Sequence, residues 1–184
     1  MSAFETLADR LRHLARQQPQ APALGDGQCL LSYRNLDRLV DRVAAALQRD
    51  GVRPGQAVAS CAAPGVLQAV CGLGTLRAGA VAAPIAPSVT PAQFSAMVAD
   101  AGATFIFVDG QAAPLLPALP PGVQPIDLGG AGRGTRLDDW MAQEGVAPRP
   151  VLISPSDPFN IIYSSGTTGT PKGIVQPHAM RWAH

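Results

Sequence analysis

The chemistry-bearing residues of this chain crowd into one stretch, Ser164-Ser165-Gly166-Thr167-Thr168-Gly169-Thr170-Pro171-Lys172. These nine residues hold two serines, three threonines, two glycines, a proline and a lysine, and no large apolar side chain. Such a loop suits an anion. Gly166 and Gly169 open turn conformations closed to other residues. Successive backbone N–H groups can then converge on one concavity, a nest for phosphate oxygens. Ser165, Thr167, Thr168 and Thr170 add hydroxyl donors, Lys172 adds a point charge on a flexible stem, and Pro171 stiffens the approach. The competing reading is a plain polar turn, and local chemistry leaves the two open. The Walker A pattern does not fit. Counted from Gly166, its second glycine falls on Pro171, and Gly173 follows Lys172 where Ser or Thr is required.

Two apolar runs frame the loop. Phe159 to Tyr163 is aromatic and β-branched and reads as a buried strand, and Gly173-Ile174-Val175 reads as the start of a second. A strand therefore enters the loop and another leaves it. His178 follows shortly after, either as a ligand or as a satisfied histidine near a helix start.

Tyr163 to Gly173, read unbroken, closely resembles the signature loop of the AMP-forming adenylate synthetase superfamily. That superfamily includes acyl-CoA synthetases, firefly luciferase and the adenylation domains of nonribosomal peptide synthetases. Leu31-Ser32-Tyr33 with Leu36, and Arg77-Ala78-Gly79-Ala80-Val81 with Pro84, resemble it more loosely. The resemblance implies that Ser164, Ser165, Gly166, Thr167, Thr168, Gly169, Thr170 and Lys172 hold the β- and γ-phosphates of ATP while AMP passes to a carboxylate. ATP and Mg²⁺ are the implied cofactors, coenzyme A the co-substrate. No catalytic residue and no metal ligand is assigned within this chain. Family members are much longer, and their adenine-contacting aromatic segment, acidic magnesium ligand, ribose-binding aspartate and C-terminal lysine have no counterpart here. The expectation is an incomplete N-terminal region of an AMP-binding domain spanning 1–184, with 109–158 a Pro/Gly-rich irregular stretch and 161–178 the phosphate-loop signature. Its partners are then a small carboxylate, ATP and the remainder of the same enzyme. The alternative is a short non-catalytic nucleotide-binding or interaction module using the same loop.

Composition bounds the rest. A chain of 184 residues suits one domain and buries roughly 70% of its unfolded surface. A net charge of +1 gives no electrostatic case for nucleic acid or an anionic membrane. Only 15% of residues are charged, against about 25% usually, so part of the surface is expected to pack against more protein. Cys29, Cys61 and Cys71 show no CxxC spacing and read as buried, reduced thiols of a cytoplasmic protein. His13, His178 and His184 are too dispersed for a metal site. No signal peptide is visible, and the apolar stretch Ala57 to Ala86 is too broken by Gly, Pro and Arg77 to span a membrane.

The remaining elements position the loop. Ser2 and Glu5 form a capping-box pattern before Phe4, Leu7, Leu11 and Leu14, a helix ending by Gln18. Ala23 to Leu31 reads as a hairpin turning at Asp26-Gly27. Ser32 caps a helix that presents Leu36, Leu39, Val40, Val43 and Leu47 on one face and ends at Gly51. Strands at Ala57–Cys61, Ala80–Ile85 and Thr104–Val108 alternate with helices at Val66–Arg77 and after Thr90-Pro91. This βαβαβ order predicts an α/β fold, mostly parallel sheet with covering helices. Gly72 and Gly74 lack the third glycine of a dinucleotide fingerprint and read as helix-packing residues. A further strand at Val123–Leu128 and a short helix from Leu137 with Trp140 complete the pattern; Asp138, Asp139 and Glu144 read as solvated charges.

Overall fold

The chain opens with helix α1 (Leu7–Gln17), whose cap is Thr6: its side chain accepts from the Asp9 amide at 3.0 Å. Ser2, the cap expected from the sequence, lies outside the described residues; Thr6 with Asp9 three residues on carries the same chemical signal, four residues later. The computed structural model describes residues 4–27, 29–164 and 172–182. Strands β1 (Pro22–Gly25) and β2 (Leu30–Ser32) pair antiparallel as the expected hairpin. Ser32 caps α2 (Tyr33–Arg49), accepting from the Asn35 amide.

The βαβαβ core follows as β3 (Ala57–Cys61), α3 (Val66–Arg77), β4 (Val81–Pro84), α4 (Pro91–Asp100) and β5 (Phe105–Asp109). Thr90 and Gln93 close a full capping box on α4, with Pro91 at the first helical position. The 109–158 stretch is more ordered than its prolines suggest. It holds a 3-10 turn at Leu116–Ala118, β6 (Gln124–Gly129), the two-residue β7 (Thr135–Arg136) and α5 (Leu137–Trp140). Then come β8 (Pro158–Ser164), β9 (Lys172–Pro177) and α6 (His178–Trp182).

The main sheet has the order β7-β6-β5-β3-β4-β8-β9. All neighbours are parallel except β8 and β9. Period-2 alternation sends Phe105, Phe107 and Ile126 to one face and Ile106 and Val108 to the other. The first face packs on α1, α2, α3 and Trp140; the second packs on Phe94, Met97 and Val98 of α4. Phe94, Phe107 and Ile106 are almost wholly buried, each contributing about 1.5–3 kcal/mol of apolar transfer.

Close approach of α3 to α2 depends on Gly74, where an added Cβ would lie 2.5 Å from Val43 Cγ1. Under the same helices, Arg77 is buried and its guanidinium reaches Asp41 at 3.0 Å, Asp37 at 2.6 Å and the Ala8 carbonyl at 2.9 Å. The Asp37 contact is an ion pair without hydrogen-bond alignment, since Asp37 Oδ1 has no hydrogen-bond partner. Gln48 fastens the proline-marked connection to α2: its Nε2 donates to the Arg149 carbonyl and its Oε1 accepts from the Arg149 amide. Cys61 and Cys71 are buried, and burial pushes both thiols up, Cys61 to about 11. Cys29 departs from expectation and is exposed, because it sits at the turn of the two-stranded hairpin, outside the main sheet.

Candidate functional site

Strands β8 and β9 form an antiparallel ribbon running from Pro158↔Pro177 at one end to Ser164↔Lys172 at the other. Six of the eight residues singled out for phosphate, Ser165, Gly166, Thr167, Thr168, Gly169 and Thr170, lie outside the described residues, as does Pro171. The structure does place the two that frame them. Ser164 and Lys172 are cross-strand partners, so the polar stretch closes directly on a paired stem, and Lys172 is exposed. Because β8 runs parallel to β4, the stretch leaves from the carboxyl end of the parallel strands. That end is where open α/β sheets bind ligands. Asp109, the last residue of β5, accepts from the Ala63 amide at 2.8 Å and ties down the connection after β3.

One residue back from that stem, Tyr163 pairs with Gly173. The half-buried Tyr163 ring packs against the α4 face of the core, and its hydroxyl lies 3.0 Å from the Met97 carbonyl and 2.8 Å from Asp100 Oδ2. Burial, then the Asp100 hydrogen bond and charge, raise the phenol well above its ordinary range and keep it a donor. Gly173 leaves room for this arrangement. A Cβ there would meet Ile161 Cγ2 at 2.9 Å and both Asp100 Oδ2 and Tyr163 Cε1 at 3.2 Å. Sequence reasoning placed Tyr163 in a strand but did not pair it with Asp100, 63 positions away. The one available signal was an acid in the last turn of a helix, where the macrodipole favours bases.

His178 resolves to a packing role. It sits at the opposite end of the ribbon from the polar stretch. Its ring is buried edge-on against Phe159, with centroids 5.1 Å apart, and against Phe4 at 6.5 Å. Burial lowers its pKa, and nearby Asp157 opposes this. The amide of His178 donates to the Asp157 carbonyl, fixing the start of α6. Asp138, Asp139 and Glu144 are exposed, as solvated charges should be. Among the described residues, no group of three or more His, Cys, Asp or Glu side chains stands ready to hold a metal ion. None of their helices is long and apolar enough to cross a membrane.

Known proteins resemble this chain in sequence and fold. Surfactin synthase subunit 3 of Bacillus subtilis (strain 168) is 36% identical over 162 residues, covering 88% of this chain and 12% of that protein. The fatty acid–[acyl-carrier-protein] ligase ScoC of Streptomyces coeruleorubidus is 29% identical over 179 residues, covering 95% and 33%. A benzoate CoA ligase from Burkholderia xenovorans LB400 shares the fold, with a TM-score of 0.85 and 23% identity over 98% of this chain and 36% of that one. The chain thus spans 12 to 33% of the length of these two curated relatives. The model of the AMP-binding enzyme family matches residues 11–183, nearly the whole chain, and the chain belongs to that family.

Proposed function

We propose that the protein carrying this chain is an AMP-forming ligase. It activates a carboxylate with ATP to give acyl-AMP and pyrophosphate, then passes the acyl group to a thiol such as coenzyme A. The observation that carries this reading is the hydroxyl- and glycine-rich stretch closed by Ser164↔Lys172 at the carboxyl end of β8. In it, Ser164, Ser165, Gly166, Thr167, Thr168, Gly169, Thr170 and Lys172 cradle the β- and γ-phosphates. Their donors are all uncharged except Lys172, which fits an oxyanion whose charge shifts during transfer. Mg²⁺ would enter with ATP, its acidic ligand supplied by further chain of the same enzyme, and would spread the negative charge of the phosphates. Lys172 steadies the leaving pyrophosphate; the adenine, the ribose and the acyl group are held by further chain of the same enzyme. The reaction belongs to the cytoplasm in this reading, consistent with three free thiols.

The test is ATP–pyrophosphate exchange by the natural-length enzyme with a panel of carboxylates. Lys172→Ala should slow exchange on the order of 100-fold, the scale of one lost oxyanion donor, and leave the KM for the carboxylate nearly unchanged. Unaltered exchange in that variant removes Lys172 from the mechanism. Relatives are named both for coenzyme A and for a carrier protein. Thioester formation measured with each acceptor in turn decides which thiol this enzyme uses.

A further inference from the structure

The phosphate-binding stretch leaves from β8, which meets the parallel sheet at β4 and runs on as a ribbon with β9. β8 joins β4 through a single register pair, Ala82↔Asn160. From Ile161 onward β8 pairs only with β9, itself the outermost strand. A two-stranded ribbon is marginal alone in water. The same point gathers departures from local rules. Asp100 ends α4 where an acid opposes the helix dipole. Gly173 interrupts β9, at a cost in strand stability. Such departures collect where function requires them.

We infer that Tyr163 and Asp100 are positioning residues for the phosphate loop, a role that rests on the phosphate-binding reading of that loop. The Tyr163 hydroxyl reaches across to α4, to the Met97 carbonyl at 3.0 Å and to Asp100 at 2.8 Å. It thereby ties the carboxyl end of β8 to a helix packed on the core. Gly173 gives the Tyr163 ring its room. The next pair along the ribbon is Ser164↔Lys172, so the tie acts one residue before the loop begins. Its effect is to hold the two ends of the phosphate cradle in one place before nucleotide arrives, which lowers the ordering cost of binding. Asp100 acts through Tyr163.

The test compares Mg·ATP with AMP, which lacks the two phosphates the loop holds. Affinities of the natural-length enzyme are measured by calorimetry, alongside melting temperatures. Tyr163→Phe and Asp100→Ala should each weaken Mg·ATP about 10-fold and AMP less than about 2-fold. Asp100→Asn, which keeps an acceptor oxygen, should retain most of the affinity. The double variant Tyr163→Phe/Asp100→Ala should be no weaker than Tyr163→Phe alone, since losing the hydroxyl already removes the contact to Asp100. Asp100 is exposed, so its variants test the idea even if Tyr163→Phe folds poorly. Equal weakening of Mg·ATP and AMP, in step with a lower melting temperature, would make the tie merely structural and overturn the inference. Lys172→Ala separates the two levels. If it leaves Mg·ATP affinity unchanged, the phosphate-loop reading fails and the positioning role falls with it. If it weakens Mg·ATP while Tyr163→Phe and Asp100→Ala do not, the positioning role alone fails.

Discussion

His178 illustrates how a side chain near a functional signature can serve packing instead. Its ring is wedged between Phe159 and Phe4, and burial holds its folded pKa below the ordinary value of 6.5. The consequence for stability has a definite sign. Above pH 6.5 the imidazole is neutral both folded and unfolded, and no pH dependence arises from it. Below pH 6.5 the unfolded chain takes up the proton first, so stability falls with falling pH until the folded state is protonated too. Urea midpoints measured between pH 5 and pH 8 should therefore decline on the acid side of about pH 6.5, and His178→Phe should flatten that decline. Asp157 contributes in a separate, more acidic window. Hydrogen bonds from the Ser154 amide and hydroxyl lower its pKa, so its contribution is present above 3.8 and lost as pH falls through the lower folded value. The strands that bring Ser164 opposite Lys172 were legible in the sequence, because an apolar run on either side of a polar stretch reads as strand, loop and strand. The Tyr163–Asp100 tie was not, because it joins residues far apart in sequence and only the tertiary fold brings them together.

At the level of elements, capping and periodicity carried most of the information. Ser32 and Thr90 cap their helices as their spacing predicts, and both cluster with downstream amides or amide-like side chains three residues on. Thr6 was overlooked because Ser2 with Glu5 offered the same pattern slightly earlier. The antiparallel pairing of β9 follows from a loop too short for a parallel crossover, although the sequence reading assigned no strand direction. The stretch from 109 to 158 showed its strand and short helix despite its prolines, but not what anchors them. Its anchors are single side chains: Trp140, packed on Phe105 and Phe107 and donating from Nε1 to Asp50 at 2.8 Å, and Gln48, clasping Arg149. Of the two α3 glycines read as packing residues, Gly74 is one, whereas Gly72 has open space where a Cβ would stand. Gly74→Ala should destabilise the protein by about 2 kcal/mol, since the added methyl meets the Val43 side chain and must push α2 and α3 apart. Val43→Ala in the same protein should recover part of that loss, a coupling that a denaturant titration of the four variants measures directly.

For the molecule as a whole, the low charge content finds a physical counterpart in β9. Ile174 and Val175 are 52% and 56% exposed, and being adjacent they point to opposite faces of the strand. Both faces of the sheet are thus open at this end, while its middle is covered on both sides. The isolated 184-residue chain should self-associate through this end, and Ile174→Lys with Val175→Thr should lower its light scattering at equal concentration without shifting its melting temperature by more than about 2 °C. The two ends of the sheet also differ in their backbones. β7 offers a neighbour only two residues, whereas β9 offers six. Short edge strands make poor templates and long ones good templates. The two edges are therefore unequal as templates: β9 presents a longer row of backbone groups to a further strand than β7 does.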